Sequence, residues 1–267
     1  MSEKLRLMCV LAHPDDESLG SGGTLAKYAA EGVETYLVTA TRGERGWWGD
    51  DYPGLEALGK IREAELQAAA KALSLREVSF LNYVDGDVDQ ADPAEAVSKI
   101  VEHLRRRRPQ VVITFSPDGA YGHPDHIATS QFATAAIVCA ADPGYGPPDS
   151  GRPHRVSKLY YKVWTLEELA AYQSVFGDLV MRVDDKDRRV VAWEDWAITT
   201  RIDTEAHWRT AWQAVLCHQS QLPAYHKLEN LSEEHHKGLW GCQGYYRAFS
   251  VVNGGRQVES DLFEGLR

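Results

Sequence analysis

The run Ala12-His13-Pro14-Asp15-Asp16-Glu17 decides the reading of this chain. It directly follows a strand-like segment over residues 5–11, Leu-Arg-Leu-Met-Cys-Val-Leu. Proline biases the residue before it toward extended backbone and suits the first position of a helix. The run therefore reads as a strand-to-helix turn carrying one imidazole and three carboxylates. A second run of the same design, Tyr121-Gly122-His123-Pro124-Asp125-His126, comes shortly after an apolar segment over 111–115.

Outward from these runs, strand-like and helix-like segments alternate. Helical periodicity covers residues 23–31, 55–73, 93–108 and 124–141. Apolar, β-branched stretches cover 33–40, 78–81, 111–115 and 156–163. Such alternation implies parallel strands joined by right-handed crossovers. The expected fold is α/β and Rossmann-like: a mostly parallel sheet flanked by helices, with a C-terminal elaboration. In the common strand order 3-2-1-4-5, strands 1 and 4 are neighbours at the switch point where ligands bind. The two runs then meet in one crevice.

Past residue 142 the pattern changes. Residues 142–153, rich in Gly and Pro, read as a surface loop, and 181–201 as a hairpin or a pair of strands. Residues 204–218 read as a helix capped by Thr204, and 245–252 as a late strand. With no repeat and no clear linker, one domain over 1–267 is expected: a core over 1–165 and an elaboration over 166–267.

A net charge of -10 argues against general nucleic-acid binding, which needs a basic surface. The 43% hydrophobic content suffices for an ordinary core. No apolar stretch approaches bilayer-spanning length, and the one before Ala12 is too short for a signal segment. The four cysteines are far apart, with no Cys-x-x-Cys pair. They are expected to be reduced and mostly packed, in a cytoplasmic protein.

A hydrolytic zinc site takes three ligands from His, Asp and Glu and keeps an open water position. His13, Asp16 and His126 supply such a set. Asp15 then stands beside the water as general base. Tyr121 and His123 remain as donors to a developing oxyanion, and Asp125 can orient an imidazole. Taken singly, His-Pro-Asp is a common turn and paired aspartates a common helix start. Two His-rich turns at two strand ends go beyond what folding needs.

Other features are less decisive. Gly20-Ser21-Gly22-Gly23 fails the dinucleotide pattern and reads as close backbone packing at a helix start. Residues 105–108 read as a solvated basic helix end, and His235-His236 as surface. His218 either packs a helix end or reaches the cleft. Trp47 and Trp48, in the glycine-rich run 42–51, either stack on a sugar or apolar substituent or cover the core or a neighbouring subunit.

The chain resembles the LmbE-like, or PIG-L-like, family of zinc-dependent N-acetylglucosamine deacetylases. The signature Ala-His-Pro-Asp-Asp-Glu stands complete at 12–17, and Gly-His-Pro-Asp-His at 122–126. The resemblance implies metal ligands at His13, Asp16 and His126, a base at Asp15, and oxyanion roles for His123 and Tyr121. It implies that Arg62, followed by Glu63 on the second helix, contacts substrate, and that Asp85 in Val-Asp-Gly binds a sugar hydroxyl. His218-Gln219-Ser220-Gln221 and the ending over 261–266 also resemble the family.

The expected protein is thus an enzyme that hydrolyses a linear amide C–N bond. It removes the N-acetyl group from an N-acetylglucosamine-type sugar or glycoconjugate, using Zn²⁺ or, alternatively, Fe²⁺. Its expected partner is a small N-acetylated sugar, with no nucleic acid and no membrane span; a homo-oligomer is compatible with the sequence. The alternatives are an amidase of a larger thiol-sugar conjugate and a non-hydrolytic sugar- or nucleotide-binding protein.

Overall fold

The structure, a computed structural model, describes residues 4–146, 151–255 and 257–267. In chain order its elements are β1 (Arg6–Leu11), α1 (Asp16–Ala30), β2 (Glu34–Thr39), α2 (Leu55–Ala72), β3 (Glu77–Phe80), α3 (Pro93–Arg107) and β4 (Val111–Phe115). There follow a single turn, α4 (Gly119–Gly122), then α5 (Pro124–Ala141), β5 (Lys158–Lys162), α6 (Leu166–Phe176), β6 (Val180–Val183) and β7 (Lys186–Arg189). The chain continues through β8 (Thr200–Asp203), α7 (Trp208–Cys217), the short α8 (Leu222–Tyr225), α9 (Glu233–Trp240) and β9 (Cys242–Ser250).

The main sheet runs β3-β2-β1-β4-β5-β9-β8. Strands β1 to β5 pair in parallel, and β9 and β8 extend the sheet antiparallel. The expected order 3-2-1-4-5 is therefore the observed one. Strands β6 and β7 form a separate hairpin.

Strand β1 is central, and its side chains alternate between two buried layers, as a strand covered on both faces must. Leu7, Cys9 and Leu11 pack with Leu25, Tyr28 and Leu66 of α1 and α2. Met8 and Val10 pack with Ile100, Leu104, Phe132 and Ala136 of α3 and α5. A third cluster around Tyr172, Trp208 and Trp240 joins the C-terminal helices.

Several expectations are corrected. Helix α1 begins at Asp16, so Gly20–Gly23 lie inside it. Close packing is still their reason. A Cβ on Gly23 would lie 2.8 Å from the Thr204 Cβ, and one on Gly22 3.1 Å from the Ala211 Cβ. Each glycine costs the helix about 1 kcal/mol of propensity, which at Gly22 and Gly23 the close approach of Ala211 and Thr204 offsets. Thr204 does not cap α7: its hydroxyl donates to the Trp240 carbonyl at 2.6 Å, and α7 starts at Trp208. The hairpin is confined to β6 and β7, and the late strand begins earlier, at Cys242.

Arg105 is buried, not solvated: its guanidinium donates to the Ala140 and Asp142 carbonyls and ties α3 to the end of α5. His236 is also buried, stacked on Trp208 at 5.4 Å, whereas His235 is exposed. The expected loop over 142–153 falls in part, at 147–150, outside the described residues. Cys9, Cys139, Cys217 and Cys242 are all free. Among the described residues no helix is long and apolar enough to cross a membrane.

Candidate active site

Because β1 and β4 are parallel neighbours, their carboxyl ends bring the two His-Pro-Asp turns together. Ligand atoms of His13, Asp16 and His126 all lie within 4.8 Å of one another. His13 Nδ1 is 3.2 Å from His126 Nε2 and 3.7 Å from Asp16 Oδ2. His126 Nε2 is 3.5 Å from Asp16 Oδ1. Four ligands at zinc bond lengths form a tetrahedron with edges of about 3.4 Å. The two nitrogens sit at such an edge and each faces one Asp16 oxygen, so a small turn of the carboxylate suffices for the three to share one tetrahedral ion and leave a position to spare.

His13, Asp85 and His123 form a second group of suitable side chains. That group would use the Nε2 face of His13, which lies 3.0 Å from both Asp85 Oδ1 and Asp125 Oδ2. We assign the proton to Nε2, donated to these carboxylates, which leaves Nδ1 as the ligand atom. Burial opposes protonation of His13, but Asp85, Asp125 and Asp16 together raise its pKa well above the ordinary value. Asp125 is fully buried and also accepts the Gly86 and Val88 N–H groups at 2.7 and 3.2 Å. It thus fixes the His13 ring and pins the loop that carries Asp85. The second Asp85 oxygen accepts the Arg45 N–H at 3.1 Å.

Asp15 has a φ of 104°, in the left-handed region. Its carboxylate accepts from Arg62 Nη2 at 3.2 Å and from the Tyr225 hydroxyl at 3.3 Å. Burial raises its pKa, and Arg62 and His218 oppose that. Arg62 is itself buried; it also donates to the Pro14 and Gly43 carbonyls. Glu17 and His218 form a pair at 2.9 Å, both wholly buried. Burial disfavours charge on either, yet each stabilises the other: the Glu17 pKa falls and the His218 pKa rises. Burial also pushes Asp16 up to about 7, against His13 and helped by Asp15. A bound cation reverses that direction.

The second turn is built differently. Gly119, Ala120 and Gly122 have φ of 68°, 66° and 84°, which swings Tyr121 across the cluster. Its ring lies edge-on, 5.3 Å from His126 and 5.8 Å from His123. Burial, then the nearby carboxylates, push the phenol pKa up, so it remains a donor. His123 caps α5, its Nδ1 accepting the Asp125 N–H at 3.2 Å, so its proton sits on Nε2. Burial and then His13 lower its pKa to about 4. His126 stacks on Phe115 at 4.0 Å.

The loop carrying Trp47 and Trp48 covers the Arg62 side. A Cβ on Gly43 or Gly46 would fall 2.2 or 2.4 Å from Arg62 Nη1. Trp48 Nε1 donates to Gln221 Oε1 at 3.0 Å, and Gln221 Nε2 donates to the Gly46 carbonyl at 2.7 Å. Trp47 lines an open cavity of 480 Å³ with Arg45, Tyr52 and Leu55.

The structure thus gathers His13, Asp15, Asp16, Asp85, Tyr121, His123, Asp125 and His126 in one crevice, with Arg62 behind Asp15. Sequence reasoning missed Tyr225, which carries no local signal, and Arg45, whose contact is made by its backbone. It left His218 undecided and gave Glu17 no role.

A family model described as PIG-L: GlcNAc-PI de-N-acetylase matches residues 8–137. A 1D-myo-inositol 2-acetamido-2-deoxy-alpha-D-glucopyranoside deacetylase of Geodermatophilus obscurus is 36% identical over 100% of this chain and 99% of its own length. The enzyme of the same name from Streptomyces griseus is 35% identical over 98% of this chain and 89% of its own. A conserved protein of Thermus thermophilus with a crystal structure shares the fold, at TM-score 0.67 and 28% identity, over 94% of this chain and 97% of that one. With both signature turns converged on one crevice and full-length relatives at this identity, the chain belongs to the PIG-L, or LmbE-like, family of deacetylases.

Proposed function

We propose that the protein is a metal-dependent amide hydrolase that removes the N-acetyl group from an N-acetylglucosamine-type sugar or glycoconjugate. The carrying observation is the His13, Asp16 and His126 trio with Asp15 beside it. The relatives support the sugar class, since their names describe deacetylases of an inositol-linked acetamido sugar.

His13, Asp16 and His126 would hold the ion, zinc by the donor set or alternatively ferrous iron. When bound, such a cation supplies Lewis acidity: it acidifies water and polarises the amide carbonyl. Asp15 takes the proton from the attacking water, its carboxylate aimed by Arg62 and Tyr225. Neutral His123, through Nε2–H, and Tyr121, through its hydroxyl, donate to the oxyanion that develops. The leaving amine takes its proton from Asp15 or His123. Asp125 keeps the His13 ring in its ligating orientation. The family resemblance supports Asp85, beside His13 and His123, as the residue for a sugar hydroxyl. Arg62, assigned by the same resemblance to substrate contact, is buried and held by Asp15 and the Pro14 and Gly43 carbonyls, so in this reading it aims Asp15. We take residues 1–267 as one catalytic unit, since Tyr225 reaches Asp15 from the C-terminal part. Its free cysteines suit a cytoplasmic setting.

The test is acetate release from a panel of N-acetylglucosaminides, with metal content measured on the same sample. Release from the sugars in the metal-loaded protein supports the reading. Equal release from N-acetyl amides lacking hydroxyl groups overturns the sugar assignment, because a site built to bind hydroxyls discriminates against their absence.

A further inference from the structure

Asp15 occupies an unusual backbone position. A φ of 104° is strained for a residue with a Cβ, and it persists only where surroundings enforce it. An aspartate at a helix N-cap ordinarily turns its carboxylate back onto the first-turn N–H groups. Asp15 makes no such bond, because its carboxylate points to Arg62 and Tyr225 instead. Arg62 holds the Pro14 carbonyl and Asp16 accepts the His13 N–H at 2.8 Å, but neither bond fixes the Asp15 peptide itself.

The Asp15 N–H donates to Glu17 Oε2 at 3.0 Å. The other Glu17 oxygen accepts from the Ser18 hydroxyl and from His218 Nε2, the latter at 2.9 Å. Glu17, Ser18 and His218 are each 0% exposed, so none of them touches a substrate. His218 arrives from 201 residues further along, at the end of α7, which packs on both α1 and α2.

We propose that the Glu17–His218 pair is a positioning device for the general base: Glu17 holds the Asp15 N–H and so fixes the left-handed turn, and His218 holds Glu17. The proposal rests on Asp15 being the base. With both carboxylate oxygens engaged, Glu17 has one orientation, and the Asp15 amide has one acceptor. Without His218, Glu17 is a buried carboxylate short of a partner and turns away. The backbone then relaxes toward ordinary φ and carries the Asp15 carboxylate off line. Misplacement by about 1 Å can cost roughly 100-fold in rate.

The test places Glu17→Gln and His218→Ala each in the native protein and in Asp15→Asn, with kcat, KM and bound metal measured on every variant. In the native background kcat falls by roughly 10- to 100-fold, while KM and metal content change little. In the Asp15→Asn background neither substitution lowers the residual kcat further, because a positioning residue acts through the group it positions. His218→Gln, whose amide still donates to Glu17, recovers most of the rate lost in His218→Ala. Equal fractional losses in both backgrounds overturn the proposal and reduce the pair to general structural support; so does native kcat in both Glu17→Gln and His218→Ala. Near-native turnover of Asp15→Asn alone is a separate result, which overturns the base assignment itself. If Glu17→Gln does not fold, the two His218 variants make the same comparison.

Discussion

The two His-Pro-Asp turns share three residues and a place in the fold, yet they do opposite things with the aspartate. After β1, Asp15 takes a positive φ and sends its carboxylate out to Arg62 and Tyr225. After β4, His123 is extended and caps the helix, so Asp125 enters α5 and turns inward. There it accepts two loop N–H groups and the His13 ring. The histidines exchange roles too. In the first turn the leading histidine, His13, belongs to the ligand trio, whereas in the second it is His126, three residues after His123. The backbone at the turn, not the tripeptide, selects which side chain meets the substrate side and which supports from behind.

Breaking the ligand trio should have the largest effect. His126→Ala is expected to lose its metal and essentially all acetate release, whereas His123→Ala keeps the metal; elemental analysis of both separates a ligand from a donor. If His126→Ala retains the ion in full, the trio is misassigned.

Next come the two aspartates, where the comparison is sharpest. Asp15→Asn should keep the metal and lower kcat by roughly 10²–10⁴, the usual contribution of a general base. Asp125→Asn should act instead on the metal, weakening its affinity by roughly 10–100-fold as the His13 ring loses its acceptor. A metal titration of both variants checks the contrast, and identical behaviour would erase it. Between these in size falls His123→Ala, expected to lower kcat by roughly 10²–10³ with a smaller change in KM. A raised KM at constant kcat would make His123 a binding residue.

The smallest expected effect lies away from the chemistry. Gly23→Ala should cost about 1–3 kcal/mol of stability by forcing α1 away from Thr204. Its kcat should remain native in the folded fraction. A thermal melt paired with kinetics checks that close packing, rather than ligand binding, explains the glycine run.

The sequence by itself determined the alternation of strands and helices and the parallel pairing it implies, and the common order of such a sheet, which the structure adopts, then brings the two turns together. Those follow from local periodicity and from the handedness of crossovers, which act over short stretches of chain. Only the tertiary structure decided the nitrogen of His13 that faces Asp16, the inward turn of Asp125 and the link from His218 through Glu17 to Asp15. It also decided that Arg105, at the head of a run of four arginines, and His236, between His235 and Lys237, are buried. The contacts of Asp125, of His218 and of Arg105 depend on atoms brought within about 3 Å by the packing of elements far apart in the chain, as hydrogen bonds require. No periodic pattern records such a contact. A buried Glu–His pair leaves no more trace in the sequence than the same two residues on a solvated surface.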